Sequence, residues 1–547
     1  MSRYDYIVVG AGSAGCVLAE RLSEDPNVKV LLVEAGAPPS VFINMPAGIR
    51  VLYNSAKYNW RFWTEPQQYL NNRKIFIPRG RAIGGSSAIN SMIAMRCNPA
   101  DYDGWAAQCM PQWTFEAMRP YFHKLENATQ VTNGRDPDRG YSGPIALSYG
   151  PIREPGSALI ESAVNAGLPR NQGFNGPSQV GAGFYELTIA NGKRSGAFKY
   201  LDLAKGRGNL TIMAKTAVRR IHVEGMRARG IVIGYKGRET TLFADREVLL
   251  AAGAIKSPQL LMLSGIGPAD HLGSFGVRQV LDQPNVGENL QDHLDCAIRF
   301  EAVKPTTLTP YLGIIRGGLA GLHYILTGGG GPGASNGVET GVFWGPDRLS
   351  SIPEWQAHYI DVLRNAPNED SVAHGFAVRV CQLRPASRGN VRLRNANPAD
   401  DPLIDPRFAS ESSDLVSLRN GISEMCDITR LKPFADLCKR TFDPEAFAGG
   451  ATLEAWLRNK AETIYHPVGT CRMGNDKDAV VDPNLRVRGI ESLRVIDGSI
   501  MPTLVGGNPN LPIMAMAEKI SEHIRYGDTS LHARLANQKL AGGTSAG

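Results

Sequence analysis

The first fifteen residues hold the feature that most constrains the fold of this chain. A short apolar run of β-forming residues, Ile7 to Val9, leads directly into the pattern Gly10-x-Gly12-x-x-Gly15. The apolar run predicts a buried parallel strand. Gly10 permits a tight turn, Gly12 lets the backbone approach a pyrophosphate, and Gly15 lets the next helix pack closely on the strand.

The residues that follow complete a βαβ unit. We predict a helix from Ser13 to about Ser23, and its first residues, Ser13 and Ala14, would present free N–H groups and a positive dipole end to a phosphate. A second strand over residues 28–33 ends in Glu34, where a carboxylate can bind a ribose hydroxyl. The order of these elements predicts a dinucleotide site, and the alternative is a glycine turn in an ordinary βαβ unit.

Length and charge exclude several classes of function. A chain of 547 residues is long enough for two or three domains. A net charge of +7 over this length shows none of the basic tracts that a nucleic-acid partner requires. Eight cysteines without a Cys-x-x-Cys pair, and ten histidines without ligand spacing, predict neither a metal site nor a disulfide framework.

The sequence also bears on localisation. The first strand begins within five residues of Met1, which leaves no room for a cleaved signal peptide. The most apolar long stretch, Tyr311 to Leu326, is too short for a membrane span and is interrupted by Arg316 and His323. We therefore expect a cytoplasmic protein without a transmembrane segment, and peripheral association with a membrane stays open.

A second glycine-rich stretch lies at residues 80–90, GRAIGGSSAIN. Its paired glycines, Gly84 and Gly85, precede two serines, so the backbone here can lie against a flat ring or a phosphate. Four further motifs follow: GAIKSPQLLMLSGIG at 253–267, VGENLQDH at 286–293, HPVGTCRMG at 466–474, and DGS at 497–499 ahead of NPN at 508–510.

Taken in this order, the motifs resemble those of the glucose–methanol–choline (GMC) oxidoreductases, from residue 4 to about 525. One departure is Cys97, which stands where the family usually has a small residue such as glycine. The resemblance implies an α/β fold, α+β overall, with a Rossmann-like FAD-binding domain assembled from residues 1–299 and 460–528. The first part would carry a lid-like excursion at about 40–75. Residues 300–459 would form a substrate domain on an antiparallel sheet, and 529–547 a C-terminal tail.

Two further patterns predict local structure without reference to the family. The runs from His374 and from Asn390 are β-like and are separated by turn residues near Ser387. The glycine-rich run at 327–333 is interpreted as a flexible loop, since no Gly-Lys-Ser/Thr follows it.

The same resemblance assigns the catalytic residues. An imidazole suits the removal of a hydroxyl proton because its pKa lies near neutrality. By its motif, His466 is expected to be that base. Asn510 is expected to be its partner and to orient the substrate oxygen with its amide. The alternative for Asn510 is a helix cap, since a helical stripe follows it.

The motifs also assign the cofactor contacts. The resemblance implies FAD, bound without a covalent link because Ile89, at the position where some relatives carry a tethering histidine, has no nucleophile. The expected contacts are Gly10, Gly12, Ser13, Ala14, Gly15, Glu34, Gly84, Gly85, Ser87, Asn90, Ser91, Met92, Val218, Asp497, Gly498, Asn508 and Pro509. For Val218 a plain core role is the alternative.

Three residues are candidates for substrate contact: Trp63 in the lid-like excursion, Glu339 and Tyr465. Choline-oxidising relatives place a carboxylate in a context similar to that of Glu339. A structural hydrogen-bonding role for Glu339 is favoured here, because members that use neutral alcohols carry it as well.

Together these features predict an FAD-dependent oxidoreductase that oxidises a small, uncharged primary alcohol. Alternatives within the family are a choline dehydrogenase or oxidase, a hydroxynitrile lyase and a fatty-acid photodecarboxylase. Alternatives outside it are a nicotinamide-dependent dehydrogenase and a non-enzymatic flavin-binding module. The electron acceptor would be a quinone-like carrier or oxygen, with a dehydrogenase favoured. The sequence leaves the oligomeric state open.

Overall fold

The computed structural model describes residues 3–108, 110–235, 238–347, 350–363 and 373–531. The predicted tail therefore lies outside the described residues except for its first three positions. Two large sheets organise the described part of the chain, and each has its own apolar core.

The first of these, the mixed sheet, contains the predicted βαβ unit. The strand Arg3–Val9 lies at its centre. This strand pairs in parallel with Val30–Val33 on one side and with Arg238–Leu250 on the other. A late strand joins this long strand in parallel, so the C-terminal part of the chain completes the sheet. In spatial order the strands are Leu210–Met213, Val30–Val33, Arg3–Val9, Arg238–Leu250, Arg227–Tyr235 and Val218–Glu224, with Leu493–Val495 beside Arg238–Leu250.

The Gly10–Gly15 loop has the close packing that its glycines predict. Gly10 has φ of +99°, a conformation that side chains disfavour. A Cβ on Gly15 would lie 1.8 Å from the carbonyl oxygen of Gly10, which leaves no room for a side chain where the helix meets the strand. That helix spans Ser13–Leu22 and ends at Ser23, as predicted.

The second sheet, the antiparallel sheet, carries the other core. Its strands in spatial order are Cys438–Thr441, Leu294–Ala302, Gly375–Gln382, Trp355–Ile360, Thr340–Trp344 and Gly181–Phe184, with Glu462–Thr463 also paired to Leu294–Ala302. Most of these strands fall in the predicted substrate domain. The sheet also takes strands from 181–184 and 462–463, which the predicted boundaries give to the FAD-binding domain.

Smaller elements complete the described structure. Short strand pairs are Phe62–Trp63 with Phe76–Ile77, Glu126–Asn127 with Ile145–Ala146, Ser148–Tyr149 with Glu186–Leu187, Ile189–Ala190 with Lys193–Arg194, Ile266–Gly267 with Leu281–Asp282, and Asn390–Arg392 with Leu403–Asp405. The other α-helices are Val41–Asn44, Ile49–Leu52, Pro99–Ala106, Phe115–Leu125, Thr129–Thr132, Glu154–Asn165, Lys199–Leu203, Gly253–Leu263, Ala269–Gly273, Ile314–Leu326, Ser412–Thr429, Gly450–Lys460 and Asn510–Tyr526.

Two local predictions have a clear structural outcome. The β-like runs at 374–383 and 390–394 do form strands, but Asn390–Arg392 pairs with Leu403–Asp405 and stays outside the antiparallel sheet. Asn510 begins the C-terminal helix, but its side chain does not cap it. The capping alternative for Asn510 is therefore wrong.

Candidate active site

A pocket at the C-terminal edge of the mixed sheet joins the two glycine-rich loops to the histidine segment. Its wall includes nine of the predicted cofactor residues: Gly10, Gly12, Ser13, Ala14, Glu34, Gly85, Val218, Asp497 and Gly498. Pro467, next to His466, also lines it. The other predicted cofactor residues, Gly15, Gly84, Ser87, Asn90, Ser91, Met92, Asn508 and Pro509, lie outside this wall.

At one end of the pocket, Glu34 completes the dinucleotide motif. Its carboxylate accepts hydrogen bonds from the backbone N–H of Ala11 at 2.9 Å and of Gly36 at 2.6 Å. Burial raises the pKa of Glu34 to about 7. The carboxyl is thus held beside the glycine loop, where a ribose hydroxyl of a dinucleotide would meet it.

The loop at 80–90 is stacked directly on the first glycine loop. The N–H of Gly84 donates to the carbonyl of Ala11 at 2.7 Å, and a Cβ on Gly85 would lie 2.6 Å from the Cα of Gly12. The Ser87 hydroxyl donates to the Gly84 carbonyl at 2.7 Å. Ser87 therefore supports the loop from within, while Gly85 reaches the pocket.

Asn90, Ser91 and Met92 are held in place by hydrogen bonds and have an unusual backbone conformation at Met92. Arg194 donates to the Asn90 carbonyl and side-chain oxygens, both at 2.7 Å. Met92 has φ of +62°, and the Ser91 carbonyl accepts from Asn336 at 2.6 Å. Strained backbone of this kind persists where the surroundings hold it, often at functional sites.

Asp497, which follows the strand Leu493–Val495, also lines the pocket and is hydrogen-bonded to the motif at residues 253–267. Its carboxylate accepts from the N–H of Gly253 at 2.8 Å, the hydroxyl of Ser257 at 2.6 Å and the N–H of Ser499 at 2.8 Å. These bonds occupy both carboxylate oxygens, and Gly498 lies beside them in the pocket wall. The free N–H groups at the start of the Ser13–Leu22 helix can donate to a phosphate, and the Glu34 carboxyl can bind a ribose hydroxyl. With the glycine loops, these groups fit FAD.

His466 lies in a cluster of buried groups supplied by distant segments. The backbone N–H of His466 donates to the Asp292 carboxylate at 2.7 Å, and the same carboxylate accepts from the backbone N–H of His293 at 2.9 Å. The Nδ1 atoms of His466 and His293 are 3.0 Å apart. The Nε2 atom of His466 is 3.2 Å from Nδ2 of Asn508.

One arrangement of protons satisfies this cluster. The Leu383 carbonyl can only accept, so His293 Nε2 donates to it at 3.0 Å. Burial lowers the pKa of His293 to about 3, which leaves its Nδ1 as an acceptor. His466 must then donate from Nδ1, and its Nε2 keeps the lone pair. The Asn508 amide donates to that lone pair and accepts at Oδ1 from Gln356 at 3.2 Å.

The same surroundings keep His466 uncharged. Burial lowers the pKa of His466 well below its usual value, and nearby His293, His358 and Arg79 lower it further. Arg79 is held by its bond to the Tyr465 carbonyl at 2.8 Å. At neutral pH the imidazole is therefore a free base with its Nε2 lone pair toward Asn508.

The partner of His466 in this geometry is Asn508, whereas the sequence prediction named Asn510. The Asn510 side chain instead accepts a hydrogen bond from the hydroxyl of Ser13 at 2.7 Å. Both asparagines belong to the NPN motif. Because Asn510 is the first residue of the C-terminal helix, its side chain is directed to the Gly10–Gly15 loop, and the contact predicted for Asn510 is corrected to Asn508.

The predicted substrate residues Trp63 and Tyr465 are the two ends of a chain of aromatic contacts. The rings of Trp63 and Phe76 are 5.2 Å apart, those of Phe76 and Tyr53 are 5.3 Å apart, and those of Tyr53 and Tyr465 are 5.9 Å apart. The hydroxyls of Tyr53 and Tyr465 are 2.7 Å apart. Trp63 is half exposed and Tyr465 adjoins His466, so aromatic surface runs from solvent to the base.

Glu339, the third predicted substrate residue, is buried and bonded within the protein. The Ser335 hydroxyl donates to its Oε1. Burial raises the pKa of Glu339, and the nearby Asp361 raises it further. Glu339 thus makes one of the hydrogen bonds expected of a structural role, its Oε2 has no partner in the described residues, and its role toward the substrate stays a prediction.

Sequence reasoning missed Asp292, His293, Gln356 and Arg79 as neighbours of the base. The motif VGENLQDH contained the first two, but its spacing gave no indication that it meets His466. Cys97, the departure from the family pattern, has φ of +66°, which explains the expectation of glycine there. Its thiol donates to the Asn508 carbonyl at 3.7 Å.

The described residues bear on the predictions about membrane spans, metal sites and disulfides. None of their helices is long and apolar enough to cross a membrane. Within the same residues no group of three or more His, Cys, Asp or Glu side chains could hold a metal ion. The seven cysteines that the structure describes are free thiols.

The sheet, the glycine loops and the pocket define a flavin-type dinucleotide-binding oxidoreductase. Two family models of the GMC oxidoreductases match residues 4–295 and 385–517. The chain is 40% identical to "Alcohol dehydrogenase [acceptor]" of Pseudomonas putida, covering 95% of each. It is also 40% identical to "Oxygen-dependent choline dehydrogenase" of Paraburkholderia phymatum, covering 95% of this chain and 92% of the relative.

Solved structures give the same result. Pyridoxine 4-oxidase from Mesorbium loti superposes with a TM-score of 0.86 at 32% identity, over 96% of this chain and 99% of the other. The chain belongs to the GMC oxidoreductase family, and its cofactor is FAD. The predictions of the family, the α/β FAD-binding fold, the cofactor and an oxidoreductase acting on CH–OH donors are thereby confirmed.

Proposed function

We propose that this protein oxidises a small, uncharged primary alcohol to the aldehyde, with His466 as the base and Asn508 as the group that orients the alcohol oxygen. The observation that carries the proposal is the position of the His466 ring, with Nδ1 3.0 Å from His293 Nδ1 and Nε2 3.2 Å from Asn508 Nδ2. FAD, when bound, supplies the hydride acceptor, its flavin N5.

The residues divide the remaining work between them. An alcohol oxygen that replaces this direct 3.2 Å contact would accept a hydrogen bond from Asn508 Nδ2 and give its proton to His466 Nε2. Gln356 keeps the amide oxygen engaged, so the N–H stays directed at the oxygen. As His466 gains the proton, its Nδ1–H remains bonded to His293, so the ring keeps its orientation.

The preference for an uncharged substrate rests on charge. A quaternary ammonium group needs aromatic faces and a nearby carboxylate to be buried. The half-buried guanidinium of Arg79 close to His466 would repel it, and the Glu339 carboxylate is already engaged by the Ser335 hydroxyl. The aromatic chain from Trp63 to Tyr465 favours an apolar aliphatic or aromatic alcohol.

The test is anaerobic mixing of the FAD-loaded enzyme with a series of alcohols, following loss of the flavin absorbance near 450 nm. Homologous alkanols should improve in kcat/KM by about 0.8 kcal/mol per buried methylene until the pocket is full. A strong preference for choline that is lost in Glu339→Gln would establish the alternative substrate. No bleaching by any alcohol would refute oxidation.

His466→Ala tests the base. The variant should retain FAD but lose about 10²–10⁴-fold in the rate of flavin reduction, since general base catalysis is worth that much. His222→Ala, at a histidine on a surface strand of the mixed sheet, is the matched control and should behave as wild type. A His466→Ala rate within threefold of wild type would remove His466 from the role.

Three finer points belong to the same proposal. FAD would be bound without a covalent link, since Ile89 precedes Asn90, and acid precipitation should release all of the flavin. The electron acceptor would be a quinone-like carrier in preference to oxygen, so peroxide should form more slowly than a dye is reduced. The enzyme would act in the cytoplasm.

A further inference from the structure

The helix Ile314–Leu326 buries a face of small residues and exposes its large apolar side chains. Its residues Gly317, Ala320, Gly321 and Tyr324 face the protein. A Cβ on Gly317 would touch Arg50, and one on Gly321 would touch Met45. Large apolar side chains on surface helices normally turn inward, and here small residues occupy the inward face.

The large apolar side chains point outward instead. They form the outer face of this helix, which consists of Ile314, Ile315, Leu319, Leu322, Ile325 and Leu326. The least exposed of the six is 52% exposed and the most exposed is 89%. At 3.6 residues per turn they lie within one arc of about 140°. A continuous exposed apolar face of this kind marks an interaction surface.

The two chain stretches that form this surface contain basic residues and no acidic ones, although Lys304 is paired with Glu154 at 2.6 Å. Residues 302–338, which include the helix, contain no Asp or Glu but contain Lys304 and Arg316. Residues 35–64 also contain no Asp or Glu, and they contain Arg50, Lys57 and Arg61. The two stretches are in contact, since Arg50 donates to the Tyr311 carbonyl at 2.6 Å and the Tyr324 hydroxyl donates to the Asn44 carbonyl at 3.2 Å.

We infer that the outer face of the Ile314–Leu326 helix docks on an anionic lipid surface. An apolar helix face flanked by Arg316 and Arg50 is complementary to the headgroup region of such a membrane. A second copy of this chain is a poorer partner, because a symmetric contact would bring these basic residues of both copies together.

This surface adjoins the approach to the base. The segment that contacts the helix continues into Tyr53, whose hydroxyl meets that of Tyr465. Docking would therefore place the aromatic chain near the bilayer, where apolar alcohols and quinone-like carriers collect. This last point rests on the proposed function, whereas lipid binding itself does not.

The experiment is flotation of the FAD-loaded enzyme with vesicles of phosphatidylethanolamine and phosphatidylglycerol, and with vesicles of phosphatidylcholine alone. Wild type should float with the anionic vesicles and should be released as salt is raised. Leu319→Asp and Leu322→Asp should each weaken binding by roughly tenfold or more, because a charge replaces buried apolar surface. Arg316→Glu should weaken binding to anionic vesicles.

Met226→Asp is the matched control, because Met226 is similarly exposed on a hairpin of the mixed sheet. It should bind as wild type. Wild type that stays off anionic vesicles at low salt, or Leu319→Asp that binds as well as wild type, would overturn the inference. So would a dimer of wild type that Leu319→Asp dissociates. Turnover of a soluble alcohol with a dye should be unchanged in all variants, which separates this test from that of the proposed function.

Discussion

The glycine-loop region and the histidine cluster are built in opposite ways. The first depends on missing side chains: Gly10, Gly15 and Gly85 are places where backbone meets backbone. The second depends on side chains that meet in space. His293, His466 and Asn508 come from segments 286–293, 466–474 and 508–510, respectively. The first region therefore tolerates almost no added atom, while the second should fail in graded steps as one hydrogen bond after another is removed.

The largest effect is expected in the glycine loop. In Gly15→Ala the new Cβ would lie 1.8 Å from the Gly10 carbonyl oxygen, and no rotamer change can relieve this contact because Cβ and the backbone oxygen are both fixed by the main chain. The variant should lose bound FAD, and with it all activity. Measured flavin content per protein checks this.

The control is Gly104→Ala, since nothing lies within 4 Å of a Cβ at Gly104, a helical position. It should bind FAD as wild type. Full flavin content in Gly15→Ala would show that the helix can shift away from the strand, and the contrast between the two regions would be lost.

The difference between the regions also explains what the sequence could predict. The Gly10–Gly15 loop, its helix and Glu34 follow from local rules, because the strand, the glycine turn, the helix and the second strand are contiguous in the chain. The contact of His466 with Asn508 does not follow from such rules. Asn508 and Asn510 are two positions apart, and the choice between them depends on where the C-terminal helix begins.

His293 and Gln356 were beyond sequence reasoning for a similar reason. His293 is in a motif that was recognised, but its partners are Leu383 on one side and His466 on the other. Gln356 is on a strand of the antiparallel sheet and reaches Asn508 across the boundary between the sheets. Only the packing of the two sheets brings these groups together.

The pair Asn508 and Asn510 gives the next largest effect. Asn508→Ala removes the N–H directed at the alcohol oxygen and should lower kcat about 10²-fold or more, as loss of one preorganised donor does. Asn510→Ala removes only the bond to the Ser13 hydroxyl and should mainly weaken FAD binding. Anaerobic flavin reduction, measured with FAD in excess, separates the two. If Asn510→Ala were the slower enzyme in that assay, the original sequence prediction would stand.

His293 is expected to act as a positioning residue, with a smaller effect. His293→Leu leaves the Nδ1–H of His466 without its acceptor, so the ring can adopt the tautomer that lacks the Nε2 lone pair. We expect a loss of about 10–10²-fold in kcat. His293→Asn is the matched variant, since its Oδ1 can stand where Nδ1 stood and accept the same proton. It should recover most of the rate, whereas equal losses in both variants would indicate a packing role.

The smallest effect concerns pH and the charge of Arg79. The base works only when neutral, so activity should fall as acid protonates His466. Because burial and nearby groups lower the pKa of His466, this fall should occur below the usual histidine range, and the rate should be flat around neutrality.

Arg79→Gln removes one cation that lowers the pKa of His466, so that pKa should rise and the fall in activity should move to higher pH. A glutamine can still donate to the Tyr465 carbonyl, which preserves the local backbone. Profiles of kcat/KM against pH that coincide for wild type and Arg79→Gln would show that Arg79 does not set the charge of the base.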